Sequence, residues 1–280
     1  MQTVYSLHKI SQSNHFPFDA GAYSRFKFGD DRIAEIFGTA LAKGFIKNHL
    51  SNKKNTGQIV VISSPYSFIP TATFAMKDHF ISELNKWLVA HNEPVVQETK
   101  IHRSITYKED YGELDAAQRM NLIGKDIFHI DTSFLTNKTL VFLDDIKITG
   151  SHERMITKML QELKLANEVY LLYYAELVNH QVHPSIENTL NYYSVKSIFD
   201  LNKIVQQDRF RINTRLVKYL LNCAEDQFLV FMQDQSSCFL NLVYNMAIGN
   251  GYHLIDAYTK NIHQLQQLVS NSLPVTKPVV

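Results

Sequence analysis

Apolar and polar positions change period from block to block along this chain. From Arg32 the apolar residues Ile33, Ile36, Phe37, Ala40, Leu41 and Phe45 recur at helical spacing, behind the natural caps Asp30 and Asp31. Residues 58–62 form instead a short continuous apolar run rich in β-branched side chains, which suits a strand buried on both faces. A Ser/Pro segment, 63–71, separates it from a second helical stripe of Met76, Phe80, Leu84, Trp87 and Leu88. Residues 95–101, 139–143 and 169–174 read as further strands. A helix with Met155, Ile156, Met159, Leu160 and Leu163 in register lies between the last two, and residues 144–150 read as the loop leading into it. Residues 1–31 are aromatic and irregular, and residues 103–124 are a polar, charged excursion. Strands alternating with helices predict an α/β fold, a mostly parallel open sheet flanked by helices.

Beyond about residue 185 only helical stripes remain: Leu216, Val217, Leu220 and Leu221, then Leu240, Val243, Met246 and Ala247, then Ile262, Leu265, Leu268 and Val269. The expected organisation is an α/β core over residues 1–184 with an N-terminal hood segment, a helical C-terminal region over 185–273, and a disordered tail at 274–280.

Composition narrows the function classes. The 280 residues suffice for a sizeable core, and 28 Lys+Arg against 27 Asp+Glu leave no net field to hold nucleic acid or an anionic membrane. The apolar runs fall short of the roughly 20 residues that span a bilayer. Residues 1–13 lack the charged start and apolar stretch of a signal peptide, so a cytoplasmic protein is expected. Cys223 and Cys238 stand without a second pair, which indicates neither a disulfide framework nor a zinc site.

The most chemistry sits in Val141-Phe142-Leu143-Asp144-Asp145-Ile146-Lys147-Ile148-Thr149-Gly150-Ser151-His152. A buried strand delivers Asp144 and Asp145 to its C-terminal edge, where open parallel sheets bind ligands. Gly150 permits a tight turn with bare backbone N–H groups, and the helix start adds partial positive charge, so the turn suits a phosphate. Thr149 and Ser151 add hydroxyl donors. The two carboxylates could accept hydrogen bonds from sugar hydroxyls attached to that phosphate, or help organise a Mg²⁺ shell. Segment 63–71, with Ser63, Ser64 and Tyr66, is a second loop at the same sheet edge. Tyr23, Arg25 and Lys27 interleave aromatics with cations just before a helix and could form a hood over a base or phosphate. Plainer alternatives stay open: a capped, solvated strand end, a receiver-type phosphoacceptor Asp, and aromatic packing with snorkelling cations.

The 140–152 stretch resembles the phosphoribosyl pyrophosphate (PRPP) motif of the type I phosphoribosyltransferases: an apolar strand, two acids, Ile146, then Thr149, Gly150 and Ser151. Ile148 and His152 depart from the small or hydroxyl residues of that pattern. His102-Arg103-Ser104, Tyr107, Leu114-Asp115 and Arg119-Met120-Asn121 are similar to the flexible loop of the phosphoribosyltransferases related to competence protein ComF. The resemblance spans roughly residues 33–177. It implies the type I phosphoribosyltransferase fold, with residues 147–152 holding the sugar phosphate and Ser63, Ser64 and Tyr66 at the pyrophosphate. It also implies Asp144 and Asp145 at the ribose hydroxyls and, indirectly, at Mg²⁺. Arg103, Lys108 or Arg119 would screen the leaving pyrophosphate. The partners implied are PRPP and a nucleobase or nucleotide-like acceptor, with a homodimer left open. The implied function is Mg²⁺-dependent phosphoribosyl transfer. The runner-up is a non-enzymatic PRPP or nucleotide sensor, and a plain interaction protein of the same fold comes third.

Overall fold

The computed structural model describes residues 2–53, 56–103 and 128–272. Its strands are β1 (Gln2–Ile10), β2 (Ile59–Ser63), β3 (Gln97–Thr99), a short ribbon of β4 (His102–Arg103) and β5 (Phe128–His129), β6 (Thr139–Lys147) and β7 (Val169–Leu177). The helices of the first half are α1 (Ala20–Lys27), α2 (Asp31–Phe45), α3 (Ala72–Ala90), α4 (Thr132–Leu135) and α5 (Ser151–Glu162). Those that follow are α6 (Ile186–Asn191), α7 (Asn202–Val205), α8 (Thr214–Leu221), α9 (Glu225–Gln233), α10 (Ser237–Gly249) and α11 (Asp256–Ser272).

Five strands form one sheet in the order β1-β7-β6-β2-β3, and every pairing is parallel. The continuous apolar runs explain its centre, because β2, β6 and β7 are covered on both faces. Val60, Ile62, Leu140, Phe142, Val169 and Leu171 pack under α5 with Met155, Ile156 and Met159. On the other face Val61, Val141, Leu143 and Leu172 pack against Phe37, Leu41, Phe45, Met76 and Phe80 of α2 and α3. Those two helices cross closely at Gly38, where a Cβ would stand 2.3 Å from the Met76 carbonyl oxygen. A third apolar cluster gathers α8 to α11 and draws in Phe28 and Ile69 from the first part of the chain.

Several expectations from the pattern need correction. Two stretches read as irregular are ordered: residues 2–10 form β1, which pairs with β7 along the sheet edge, and residues 20–27 form α1, capped by Asp19, whose Oδ1 accepts from Ala22 N at 3.0 Å. β1 has no continuous apolar run: Tyr5, Leu7 and Ile10 meet the core while polar residues stand between them. Ile36 lies off the buried stripe of α2 and is 59% exposed. The strand expected over 95–101 is confined to Gln97–Thr99, a mostly exposed edge on β2. β6 does not end at Leu143; it runs through both aspartates to Lys147 because β7 continues beside it, pairing Asp144 with Tyr173 and Lys147 with Glu176. The loop into α5 is therefore only residues 148–150. Among the described residues no helix is long and apolar enough to cross a membrane. The tail expected at 274–280 lies outside the described residues.

Candidate functional site

The chain leaves β2 toward β3 on one side and returns to β6 on the other, so strand order reverses between β2 and β6. The C-terminal ends of two strands that diverge in this way open a crevice between their loops. Here it is lined by Ser63, Leu143, Asp144, His152, Ile101 and Tyr173, among others.

Strand alternation sends the paired acids to opposite faces. Asp144 turns to the α5 side, where His152 Nδ1 lies 2.8 Å from its Oδ2 and Ser64 Oγ donates to its Oδ1 at 2.8 Å. Burial alone would raise the Asp144 carboxyl. The close approach of His152, then the charge of Lys27 and the hydrogen bond from Ser64, instead hold it well below the usual carboxylate range.

Asp145 turns into the α1 side and is 5% exposed. Lys27 Nζ and Tyr23 Oη both donate to its Oδ2. Tyr23 is fully buried, and that burial together with the negative Asp145 pushes its phenol far above the ordinary range, so it stays a donor. The Thr73 hydroxyl, in the first turn of α3, sits between the acids, 3.3 Å from Asp144 Oδ1 and 3.1 Å from Asp145 Oδ1. Of the residues read as a hood, then, Tyr23 and Lys27 face the interior and hold the strand end. Arg25 is partly exposed, its Nε 3.6 Å from Asp30 Oδ2.

The turn before α5 has Gly150 in the left-handed region at φ 68°, which favours glycine. Thr149 Oγ1 and Ser151 Oγ lie 2.8 Å apart. Arg154 folds back over them, donating to the Thr149 carbonyl at 2.9 Å and to Ser151 Oγ at 3.1 Å. Ile148 is buried. Lys147 stays beside the turn, its charge taken up by Glu153 at 2.6 Å and Glu176 at 3.0 Å.

Across the crevice, Ser63 ends β2 and Ser64 reaches Asp144. Tyr66 packs edge-on against Phe74, at 5.4 Å between ring centroids. Lys100 lies 3.9 Å above the Tyr66 ring and donates to the Ser67 carbonyl at 2.9 Å. Of the cations expected on the flexible loop, Arg103 belongs to β4, at the base of the excursion. Lys108 and Arg119 lie outside the described residues.

The family described as PRTase ComF-like matches residues 1–265. The chain belongs to that family. Its five-stranded parallel sheet with flanking helices is the phosphoribosyltransferase type I fold in this ComF-like member. Solved structures similar to it include a hypoxanthine phosphoribosyltransferase from Staphylococcus aureus, 14% identical, covering 52% of this chain and 74% of that one with a TM-score of 0.31. The hypoxanthine-guanine phosphoribosyl transferase of L. donovani is 12% identical over 52% of this chain and 70% of its own, with a TM-score of 0.33. A Trypanosoma cruzi hypoxanthine phosphoribosyltransferase complexed with the product IMP is 13% identical over 54% of this chain and 76% of its own, with a TM-score of 0.32. No curated protein matches the chain.

Thr73, Lys100 and Arg154 escaped the reading of the ComF-like sequence. Arg154 had a usable signal, since it stands three positions after Ser151 and so on the same face of the first helical turn. Thr73 had none, because its place beside both aspartates depends on how α3 docks on the sheet.

Proposed function

We propose that this chain binds PRPP at the C-terminal edge of β2 and β6 and transfers its phosphoribosyl group to, or from, a nitrogenous base. The observation that carries this reading is a juxtaposition at the strand-order switch. Asp144, held ionised beside Ser64 and His152, stands next to the turn where left-handed Gly150 opens a twelve-residue helix. The sugar phosphate would take the turn at 149–152, where the helix start and Arg154 supply positive potential. Asp144 would accept from the ribose hydroxyls. Ser63, Ser64 and Tyr66 would border the pyrophosphate. Asp145 would serve by fixing the strand end through Lys27, Tyr23 and Thr73. With groups so placed, the protein would act by positioning and by stabilising charge on the departing pyrophosphate.

Magnesium fits this donor set in an indirect way. Among the described residues no group of three or more His, Cys, Asp or Glu could hold a metal ion. Mg²⁺ keeps several waters and takes one or two carboxylates plus substrate phosphates. Asp144 would hold it through water or sugar hydroxyls, and the bound ion would neutralise pyrophosphate charge.

The test is a titration of PRPP with magnesium into the wild type and Asp144→Asn, followed by pyrophosphate release with a panel of bases. Undiminished PRPP binding by the variant rejects the site. A second reading, a PRPP- or nucleotide-binding regulator, is favoured by one feature: the charge of Asp145 is already neutralised by Lys27 in the interior. Binding without turnover supports that reading over the enzyme.

A further inference from the structure

The loop between β2 and α3 is held from outside the sheet. Asn250, which caps the C-terminal end of α10, accepts through Oδ1 from the backbone N–H of Phe68 at 3.0 Å and of Ile69 at 3.1 Å. Thr214, the first residue of α8, places its hydroxyl 2.8 Å from the Ile69 carbonyl oxygen and 3.1 Å from that of Pro70, and its N–H donates to Pro70 O at 2.9 Å. Ile69 is 1% exposed and packs in the apolar cluster of the C-terminal helices, not in either core of the sheet. The Phe68 ring rests on Gly249, where a Cβ would come 2.4 Å from the ring.

The hydrogen-bond accounting of the loop gives these contacts their meaning. Residues 63–71 contain no glycine, and Pro65 and Pro70 have no N–H to offer. The Phe68 and Ile69 amides are engaged by Asn250. Among the described residues the Tyr66 and Ser67 amides have no hydrogen-bond partner. These amides, with that of Ser64 and the Ser63 hydroxyl, are donors left to meet an anion, while the Ser64 hydroxyl is already given to Asp144. A glycine-free loop cannot wrap freely around phosphate oxygens, so its few donors serve only if its backbone is fixed in advance.

We infer that Asn250 is a positioning residue: with Thr214 it shapes the 63–71 loop so that the Tyr66 and Ser67 amides face the crevice, and the C-terminal helices thereby complete the ligand site. The inference rests on the reading of this loop as the pyrophosphate side of a PRPP site. It assigns the C-terminal region a part in binding that no sequence motif there announces.

The experiment compares the full chain with Asn250→Ala, Asn250→Asp and Thr214→Val. Two quantities are measured: amide hydrogen exchange across the loop, and affinity for PRPP with magnesium by calorimetry. In Asn250→Ala the Phe68 and Ile69 amides exchange faster and PRPP affinity falls roughly tenfold or more, the scale of a small misplacement of binding groups. Asn250→Asp retains an acceptor and restores both quantities. Thr214→Val moves both in the direction of Asn250→Ala while keeping the side-chain shape. Faster loop exchange with unchanged PRPP affinity overturns the inference, as does unchanged exchange in Asn250→Ala. A wild type that binds no PRPP rejects the functional reading instead; the clamp is then decided by loop exchange alone, and unchanged exchange in Asn250→Ala and Thr214→Val overturns it.

Discussion

Lys27 and Asp145, 118 positions apart in the chain, form a buried ion pair between α1 and β6. The pair ties the N-terminal helix to the strand that carries the candidate site. A buried charge left without its partner is costly because neither water nor a counter-ion reaches it. Lys27→Met is therefore expected to lower stability by roughly 3–5 kcal/mol. Urea denaturation measures this; a loss no larger than that of an exposed pair, below about 1 kcal/mol, would show that the contact does not hold the fold.

The two aspartates are expected to separate by phenotype. Asp145→Asn removes the partner of Lys27, so its main effect is on the unfolding midpoint. Asp144→Asn changes a group that lines the crevice, so its distinguishing effect is on ligand affinity, beside a loss of stability from its contacts with His152 and Ser64. Paired unfolding and PRPP titrations of the two variants check this, and equal profiles would contradict the division of roles.

Glu176 predicts a pH dependence. Burial would raise its carboxyl, but Lys9, Ser6 and Lys147 hold it down at about 2 from an ordinary value of 4.5. The unfolded chain thus binds the proton first as pH falls. The stability Glu176 contributes is present above pH 4.5 and is lost as pH drops toward about 2. Asp31, Asp144 and Glu168 are shifted in the same direction, so the informative quantity is a difference between proteins. Denaturation midpoints of Glu176→Gln should fall less steeply across this window than those of the wild type.

Two glycines test packing against backbone strain. At Gly38 an added methyl meets the Met76 carbonyl oxygen at 2.3 Å and the Phe80 nitrogen at 2.9 Å, atoms of a helix backbone that cannot turn aside. Gly38→Ala should cost 1–3 kcal/mol or more, roughly the price of overpacking. At Gly150 the nearest atoms are the movable ends of Arg154 and Lys147, at 3.3 and 3.6 Å, and the cost there is the left-handed backbone alone, about 1–2 kcal/mol. Thermal unfolding of both variants should rank Gly38→Ala as the less stable.

Local signals in the sequence carried the framework. Apolar runs marked β2, β6 and β7, helical stripes marked α2, α3 and α5, and the acidic pair followed by Thr149-Gly150-Ser151 marked the strand end and helix start where the site is proposed. These features are legible because period and turn chemistry are written into neighbouring residues. β1 was not legible, since an edge strand rich in polar residues is recognised only by pairing with β7, whose residues lie far along the chain. The length of β6 was misjudged for the same reason: the ladder past Leu143 exists because β7 supplies its other half.

The sequence alone determined that β2, the start of β6 and β7 are strands, that α2, α3 and α5 are helices, and which residue types gather at the β6 edge, because short-range spacing dictates backbone form and apolar face. Only the tertiary structure decided what each side chain there meets: Asp144 facing Ser64 and His152, Asp145 closed onto Lys27 and Tyr23, and the 63–71 loop held by Asn250. Those partners come from distant parts of the chain, and they meet only when burial of separate apolar faces brings sheet and helices together.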